Sequence, residues 1–405
     1  MDSTGFSVRR SHWRLMVSAF AVLVAATPVF AQSADPGRKG TVERVTVHGA
    51  SLAGNLEGDP ADRDVFIYLP PGYAANRNAR YPVVYLLHGY SLTAERWMAF
   101  SNLAAGADRS IASGATKEMI LVSPDAYTVH GGSMYSASPT TGDWETFIAE
   151  DLVAYVDKNY RTIADRMSRG LAGHSMGGYG TLRIGMKRPD VFSSLYPMSS
   201  CCLIDAAITG GGRGGRGGAR GAAGRAGAPN APAQTPAATT AAAPQQPANR
   251  GDGAGARGAA PGRGGAAGRG GAAGRGRGGF GNVGLALAAA WAPNPNNPPN
   301  YSDTPTVDGE PQPLVIAKFA ANSPYVMIPQ YVTSLKKYKA IALDVGLQDS
   351  LITSNQLLVD ALVKFGINHT YETYEGDHNN RVPERIETRV LPFFSSNLSF
   401  NAPRR

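Results

Sequence analysis

The stretch RGLAGHSMGGYG, residues 169–180, decides how this chain is interpreted. The pattern predicts a strand ending near residue 172 and a helix over 176–186, so Ser175 stands at a strand–turn–helix junction. A G-x-S-x-G motif in that setting is typical of a serine nucleophile exposed on a sharp turn. Such a turn strains the serine backbone and needs small neighbours, here Gly173, Gly177 and Gly178. We predict that Ser175 is a nucleophile above the first turn of a helix, whose amides favour negative charge.

A base must remove the proton of a serine hydroxyl, and a carboxylate must orient that base. In hydrolases with this kind of turn the order along the chain is serine, acid, histidine. Only His369 and His378 follow Ser175 in the sequence. His369 begins a predicted strand, whereas His378 lies in the polar loop after that strand, at the sheet edge where active-site groups gather. The predicted base is therefore His378.

The acid is expected just after the preceding strand, where Asp344 and Asp349 compete. Asp344 still belongs to the strand, whereas Gly346 lets the chain turn so that Asp349 can point back toward His378. Asp377 is adjacent to the histidine and cannot easily reach the Nδ1 atom of its neighbour. Asp349 is the predicted acid, with Asp344 as the alternative.

Acyl transfer also requires hydrogen-bond donors for the oxyanion of the tetrahedral intermediate. Met176, the residue after the nucleophile, supplies one backbone N–H. The loop after the apolar run at 83–87 reads His88-Gly89-Tyr90, and we assign the second donor to the backbone N–H of Tyr90. The side chain of His88 is predicted to be structural.

Short apolar runs alternate with helical patterns on both sides of the motif. Two runs at 42–47 and 64–69, rich in β-branched residues, precede a Pro-Pro-Gly turn and resemble an edge hairpin. Continuously apolar runs at 83–87 and 119–122 suit strands buried on both faces of a parallel sheet. Further helices are predicted at 147–159, 283–290, 325–337, 354–365 and 383–396, and strands at 340–345 and 369–374. This order predicts an α/β fold with a mostly parallel central sheet and helices on both faces.

Between residues 210 and 281, Gly, Ala, Arg, Pro and Gln replace almost every aliphatic residue. Such a composition cannot bury enough apolar surface to offset the entropy of ordering, so we predict a disordered insertion. Residues 41–207 and 283–398 then have a length suited to a single α/β domain that the insertion interrupts. Phe280 is the one aromatic residue of the insertion, which therefore lacks a platform for stacking bases, and no nucleic acid partner is expected.

The basic residues are concentrated in two segments outside the predicted domain. Residues 1–31 contain a basic start, an apolar run at 15–26 and the small-residue site Val29-Phe30-Ala31, the three parts of a secretory signal. The apolar run is shorter than the roughly 20 residues that a membrane span needs. We therefore expect cleavage, a secreted or periplasmic location and no stable membrane span afterwards. The insertion carries ten arginines against one aspartate, so the predicted domain is mildly acidic although the formal net charge is +8.

The two cysteines, Cys201 and Cys202, are adjacent and therefore cannot link distant parts of the chain. Two small buried side chains after a strand are the favoured interpretation. A strained vicinal disulfide and a metal site are the alternatives, although no other ligand residues cluster nearby. No metal or cofactor is expected.

Further motifs accompany the serine motif along the chain. They are YLLHG at 85–89, GGSMY at 131–135, TGDWE at 141–145, GLQD at 346–349 and GDH at 376–378. Together with residues 169–180 they make the chain similar to the esterase D family of α/β-hydrolases, which includes S-formylglutathione hydrolases, feruloyl and acetylxylan esterases, enterochelin-type esterases and mycolyltransferases. The resemblance covers nearly all of both flanks and implies the α/β-hydrolase fold. The insertion matches nothing in the family and falls between the sixth and seventh core strands.

The resemblance and the predicted triad imply an exported serine carboxylic-ester hydrolase that works through an acyl-enzyme. Its expected substrates are small-molecule or polysaccharide-linked esters, including feruloyl and acetyl esters. Tyr90, Tyr135 and Trp144 are candidates for lining the cleft, because aromatic groups suit a cinnamoyl or sugar-bearing ester; packing of Trp144 within its own loop is the alternative. Two other functions stay open, namely acyl transfer to an envelope glycolipid and polyanion binding by a non-catalytic hydrolase scaffold.

Overall fold

The structure is a computed structural model that describes Met1 and residues 39–204 and 283–401. The predicted insertion lies outside the described residues, and so does the predicted signal segment apart from Met1. Within these ranges no helix is both long enough and apolar enough to cross a lipid bilayer.

The main sheet has eight strands in the described part of the chain. They are β1 (Thr41–His48), β2 (Asp62–Leu69), β3 (Val83–Leu87), β4 (Ile120–Pro124), β5 (Arg169–His174), β6 (Ser194–Met198), β7 (Ala340–Gly346) and β8 (Thr370–Tyr374). Their order across the sheet is β1-β2-β4-β3-β5-β6-β7-β8. β2 pairs antiparallel with both β1 and β4, whereas all pairings among β3 to β8 are parallel. The predicted mostly parallel sheet and its edge hairpin are confirmed.

Helices fill most of the connections between these strands. They are α1 (Ala94–Ser101), α2 (Leu103–Ala112), α3 (Trp144–Thr146), α4 (Leu152–Asn159), α5 (Met176–Lys187), α6 (Val283–Trp291), α7 (Pro313–Ala321), α8 (Pro324–Leu335), α9 (Ile352–Lys364), α10 (Val382–Arg385) and α11 (Leu391–Asn397). π-Helical turns at Phe147–Asp151 and Ile386–Val390 join α3 to α4 and α10 to α11. Short 3-10 turns lie at Ala50–Leu52 and Arg166–Ser168. Two small antiparallel ribbons pair Ala137–Ser138 with Gly142–Asp143, and Thr306–Val307 with Glu310–Pro311.

The sequence patterns missed four of these helices, α1, α2, α7 and the three-residue α3. Asn102 separates α1 from α2 in a left-handed conformation with φ 49°, which interrupts the helical phase of the apolar residues. For this reason neither α1, with eight residues, nor α2, with ten, shows a long run of apolar residues at helical spacing. In α7 the apolar residues are not confined to one face, and Leu314 is exposed.

Both faces of the sheet are covered, as the continuously apolar strands predict. All five residues of β3 are fully buried, and they alternate between two cores. Tyr85 belongs to the core beneath α4, α5, α8 and α9, whereas Val84 and Leu86 belong to the core beneath α1, α2, α10 and α11. Strands β5, β7 and β8 run parallel, so their carboxyl ends meet at one edge of the sheet.

Candidate active site

Ser175 occupies a sharp turn between β5 and α5. Its backbone has φ 57° and ψ −113°, a conformation that L-residues rarely adopt. The flanking glycines permit this turn by close packing: a Cβ on Gly173 would lie 2.3 Å from the carbonyl oxygen of Gly177, and one on Gly177 would lie 2.1 Å from that of Leu87. Any larger side chain would push the turn away from the strands. The strained backbone conformation of Ser175 persists because the closely packed backbone around it holds the turn in place.

Two hydrogen bonds connect Ser175, His378 and Asp349. The Oγ atom of Ser175 lies 2.9 Å from Nε2 of His378, and Nδ1 of His378 lies 2.8 Å from Oδ2 of Asp349. Because an ionised carboxylate only accepts hydrogen bonds, Nδ1 carries the proton and Nε2 is free to accept the serine hydroxyl proton. The structure therefore brings the predicted nucleophile, base and acid together in that order.

Asp349 is held as an anion despite its burial. Burial raises the pKa of its carboxyl group, but hydrogen bonds from His378 and from the amide of Leu351 outweigh this effect and hold the pKa below its usual range. The Leu351 amide donates to Oδ1 over 2.8 Å. A fixed negative charge at this position favours the protonated imidazolium that forms when the base takes a proton.

The acid loop and the histidine loop are bonded to each other. The amide of Gln348 donates to the carbonyl oxygen of Gly376 over 3.0 Å, and its side-chain oxygen accepts from the Gly376 amide over 2.7 Å. Gly346 allows this approach, since a Cβ there would lie 2.1 Å from the Gly376 oxygen. The two loops thus fix the distance between Asp349 and His378.

The competing candidates lie elsewhere. Asp344 is fully buried on the face of β7 opposite to Leu343, where it accepts hydrogen bonds from Arg385 and Tyr196 over 2.8 and 3.1 Å. Burial raises its pKa to about 6, even though Arg385 opposes the shift. His369 contacts the carbonyl oxygen of Ile367 over 2.8 Å and does not approach the serine. Neither residue belongs to the cluster around Ser175.

The proposed oxyanion donors flank the nucleophile. Gly89 packs beside it, since a Cβ on Gly89 would lie 3.4 Å from Cβ of Ser175. Tyr90 and Met176 meet over Gly132, whose Cβ would lie 3.1 Å from the Tyr90 ring and 2.5 Å from the Met176 sulfur. Neither backbone amide, of Tyr90 or of Met176, donates to an acceptor within the described residues, so both are available to a ligand.

The three aromatic candidates for the cleft differ in exposure. Tyr90 is half-buried, and its hydroxyl donates to the carbonyl oxygen of His130 over 2.8 Å. Tyr135 is fully buried with its hydroxyl on the His88 carbonyl, and Trp144 is 1 % exposed with its indole N–H on the Thr141 carbonyl. Tyr135 and Trp144 therefore pack in the interior, and Tyr90 alone among the three is partly exposed. The burial corrects the expectation that all three line an open cleft.

His88 is structural, as its position suggested. The ring is fully buried, with Nε2 accepting the amide of Ala126 over 2.8 Å and Nδ1 donating to the carbonyl oxygen of Gly89 over 2.9 Å. Burial lowers its pKa, so it stays neutral and holds the loop that carries Tyr90.

His174 occupies the first variable position of the G-x-S-x-G motif, for which the sequence predicted no role. Its Nε2 donates to the backbone carbonyl oxygen of His378 over 2.7 Å, and the two rings lie 4.7 Å apart. On the other side the His174 ring stacks on Trp97 at 6.2 Å with an interplanar angle of 9°. Burial, and to a lesser degree the nearby His378, lowers its pKa to about 3. His174 is therefore a neutral donor that holds the His378 loop, and only its position between the buried Trp97 and His378 reveals this.

We expect His174→Ala to lower kcat for an ester about 10- to 100-fold, because the carbonyl of His378 loses its anchor and a displacement of about 1 Å can cost that much. His174→Gln keeps an N–H donor and should recover a large part of kcat. Steady-state kinetics with both variants, together with thermal unfolding, checks this. A positioning role would be contradicted if the two variants had equal kcat and their loss of kcat were explained by a lower unfolding temperature alone.

The chain is similar in sequence to known esterases. Residues 60–382 match the family described as "Putative esterase". A relative from Xylanibacter ruminicola, named endo-1,4-beta-xylanase/feruloyl esterase, is 34% identical over 131 residues, which cover 31% of this chain and 18% of that protein. An esterase of Mycobacterium tuberculosis is 33% identical over 135 residues, covering 32% of this chain and 27% of that protein. The chain thus spans less than a third of the length of these curated relatives.

Solved structures of low identity share the fold. A ferulic acid esterase has a TM-score of 0.57 at 20% identity, covering 89% of this chain and 100% of that one. An S-formylglutathione hydrolase from Staphylococcus aureus has a TM-score of 0.52 at 15% identity, covering 88% of this chain and 99% of that one. The family match extends over most of the chain and takes in β2 to β8. The chain therefore belongs to the esterase family and has the α/β-hydrolase fold.

Proposed function

We propose that this chain is a serine carboxylic-ester hydrolase, with Ser175 as nucleophile, His378 as general base and acid, and Asp349 as the orienting carboxylate. The observation that carries the proposal is the continuous pair of hydrogen bonds from Asp349 through His378 to Ser175, at 2.8 and 2.9 Å. These are the roles and contacts that a serine triad requires. Membership of the esterase family supports the same reaction class.

The reaction proceeds in two halves through an acyl-enzyme. Ser175 Oγ attacks the ester carbonyl while its proton passes to Nε2 of His378, and the oxyanion accepts hydrogen bonds from the amides of Met176 and Tyr90. Collapse of this intermediate expels the alcohol, which takes the proton from His378. Water then attacks the acyl group with His378 as base, and the free acid leaves. Asp349 stays ionised throughout and stabilises the imidazolium.

The proposed substrates are esters whose acyl group is small or flat. Ser175 is only 7 % exposed and the side chain of His378 20 %, which favours esters whose carbonyl group can reach a nearly buried hydroxyl. Tyr90 follows Gly89, which packs beside Ser175, and its partly exposed ring is a flat apolar surface that suits a feruloyl group. A relative named as a feruloyl esterase favours feruloyl or acetyl esters on polysaccharides as the first substrates to try. We also propose that the protein is secreted or periplasmic, on the strength of residues 1–31.

The proposal is tested with the full chain against feruloyl, acetyl-xylan and short-chain aryl esters. We expect free acid and alcohol as products, and covalent labelling of the peptide that contains Ser175 by an activated fluorophosphonate. The same assays with an added sugar acceptor distinguish transfer from hydrolysis, because transfer yields a new ester in place of the acid. Absence of both labelling and hydrolysis in folded protein would refute the proposal, and polyanion binding that residues 210–281 alone confer would then favour a binding function.

A further inference from the structure

The adjacent residues Cys201 and Cys202 form a close thiol pair in the loop after β6. Their Sγ atoms lie 2.7 Å apart, and both residues are free cysteines with partial exposure. A disulfide bond is about 2.05 Å long, so only a small movement separates this contact from a covalent bond. The two sulfurs are therefore close enough to join after a small movement, and both residues keep some exposed surface.

The thiol pair is in direct contact with the proposed nucleophile. The amide of Cys201 donates to the backbone carbonyl oxygen of Ser175 over 3.1 Å. The preceding residue packs against the same turn, since a Cβ on Gly178 would lie 2.5 Å from Oγ of Ser200. A change in the backbone at Cys201 is thus transmitted to the residue that performs the attack.

The loop is anchored on both sides of the thiol pair. The amide of Ser199 donates to the carbonyl oxygen of Asp344 over 2.8 Å, and Asn355 bonds both backbone groups of Ser200 over 3.2 and 3.0 Å. On the other side the Leu203 carbonyl oxygen accepts the amide of Tyr325 over 3.1 Å. Cys202 has a left-handed backbone with φ 59°. Because both sides are fixed, a change in the pair cannot spread along the loop and is confined to the backbone at Cys201 and Cys202, where the Cys201 amide contacts Ser175.

We propose that Cys201 and Cys202 are a reversible thiol–disulfide modification site, and that closing the disulfide switches Ser175 to a less reactive state. The effect on reactivity rests on the proposed function of Ser175, whereas the disulfide itself does not. The chemical partner is a low-molecular-weight disulfide as oxidant and a thiol as reductant.

The exchange balances in two steps. The thiolate of Cys202 attacks one sulfur of the external disulfide, which forms a mixed disulfide and releases one external thiolate. The Cys201 thiol then loses its proton to solvent and attacks the Cys202 sulfur, which forms the internal disulfide and releases the second external thiol. The two protein thiols are oxidised by two electrons, and the external disulfide is reduced by two. The hydrogen bond with Cys202 and burial raise the pKa of Cys201, which favours Cys202 as the first attacking group.

Reversibility follows from the geometry of neighbouring residues. Consecutive Cα atoms lie about 3.8 Å apart, below the usual 4.4–6.8 Å of disulfide-linked residues. The ring that closes over one peptide bond is therefore strained, and strained disulfides are the readily reduced ones. The same strain acts on the Cys201–Cys202 peptide unit and changes the backbone angles of Cys201. The adjoining Ser200–Cys201 peptide unit carries the N–H that holds the Ser175 carbonyl over 3.1 Å.

The test equilibrates the full-length protein in glutathione buffers of graded redox ratio. Intact mass and peptide mapping report the loss of two hydrogens between Cys201 and Cys202, and fluorophosphonate labelling reports the reactivity of Ser175. We expect the oxidised form to label and to hydrolyse an aryl ester at least about tenfold more slowly, with full recovery after reduction. Cys201→Ser and Cys202→Ser should each abolish the redox response while keeping the unfolding temperature close to that of the parent.

Each outcome of this test has a defined meaning. If no internal disulfide forms at any redox ratio, the modification site is refuted whatever the activity. If the disulfide forms while labelling and hydrolysis stay constant, the control of Ser175 is refuted. Protein that forms the disulfide but neither labels nor hydrolyses esters in the reduced form supports the modification site and refutes both the proposed function and the control of Ser175.

Discussion

Ser175→Ala is expected to lower kcat for ester hydrolysis by about 10⁴- to 10⁶-fold. The variant keeps His378 and Asp349 but has no atom that can form the acyl-enzyme. The residual rate reflects binding and the oxyanion donors alone. Alanine removes only the hydroxyl from a nearly buried position, so the turn between β5 and α5 should be retained.

Pre-steady-state and steady-state kinetics with an aryl ester measure this effect, and fluorophosphonate labelling should disappear with it. Ser194→Ala is a matched control, because Ser194 is a buried serine of the neighbouring strand β6 whose hydroxyl has no partner within the described residues. The control should label and turn over like the parent. Hydrolysis by Ser175→Ala at the parental rate would exclude Ser175 as the nucleophile.

Asp349→Asn is expected to lower kcat by about 10⁴-fold with little change in shape. The asparagine side chain can donate a hydrogen bond to Nδ1 of His378, which places the imidazole proton on Nε2. Nε2 can then no longer accept the hydroxyl proton of Ser175. The substitution also removes the negative charge that stabilises the imidazolium. Since the pKa of Asp349 is held below its usual range, the parent carboxylate stays ionised at neutral pH. The full loss of kcat on changing Asp349 to asparagine is therefore expected at neutral pH.

The matched control for this prediction is Asp344→Asn, which tests the alternative acid directly. Asp344 lies 2.8 Å from Arg385 and takes no part in the contacts of His378, so kcat should stay within about threefold of the parent while the unfolding temperature falls. Its pKa of about 6 lies above the usual value, so its ionisation opposes folding and the parent loses stability as pH rises through that value. Asp344→Asn should lack that loss. A large fall in kcat for Asp344→Asn, with none for Asp349→Asn, would reverse the assignment.

Local patterns were sufficient for seven of the eight strands of the sheet, all except Ser194–Met198, and for the choice of candidates. Apolar runs such as 83–87 predicted strands buried on both faces, and every β3 residue is buried. The preference for Asp349 over Asp344 came from Gly346. In the structure a Cβ added to Gly346 would lie 2.1 Å from the carbonyl oxygen of Gly376, so a glycine is needed there. Glycines, prolines and periodic apolar residues record local backbone requirements in the sequence, which is why such arguments succeed.

Burial and long-range partners were not accessible in the same way. Tyr135 and Trp144 are aromatic residues in loops, a pattern that favours a ligand surface, yet they are buried in the interior. His174 appeared to be a variable position of a motif, and its bond to His378 joins residues 204 positions apart. Nothing in a linear pattern specifies which loop packs against which.

The sequence by itself determined the alternation of strands and helices, the turn at Ser175 and a short set of candidates for base and acid, because these depend on backbone preferences and on the order of elements. Only the tertiary structure decided that Asp349 faces His378 while Asp344 faces Arg385, and that the Cys201–Cys202 pair touches Ser175. Adjacent strand residues point to opposite faces of a sheet, and loops from distant strands meet only when the sheet forms. Contacts of that kind are set by packing across the whole domain.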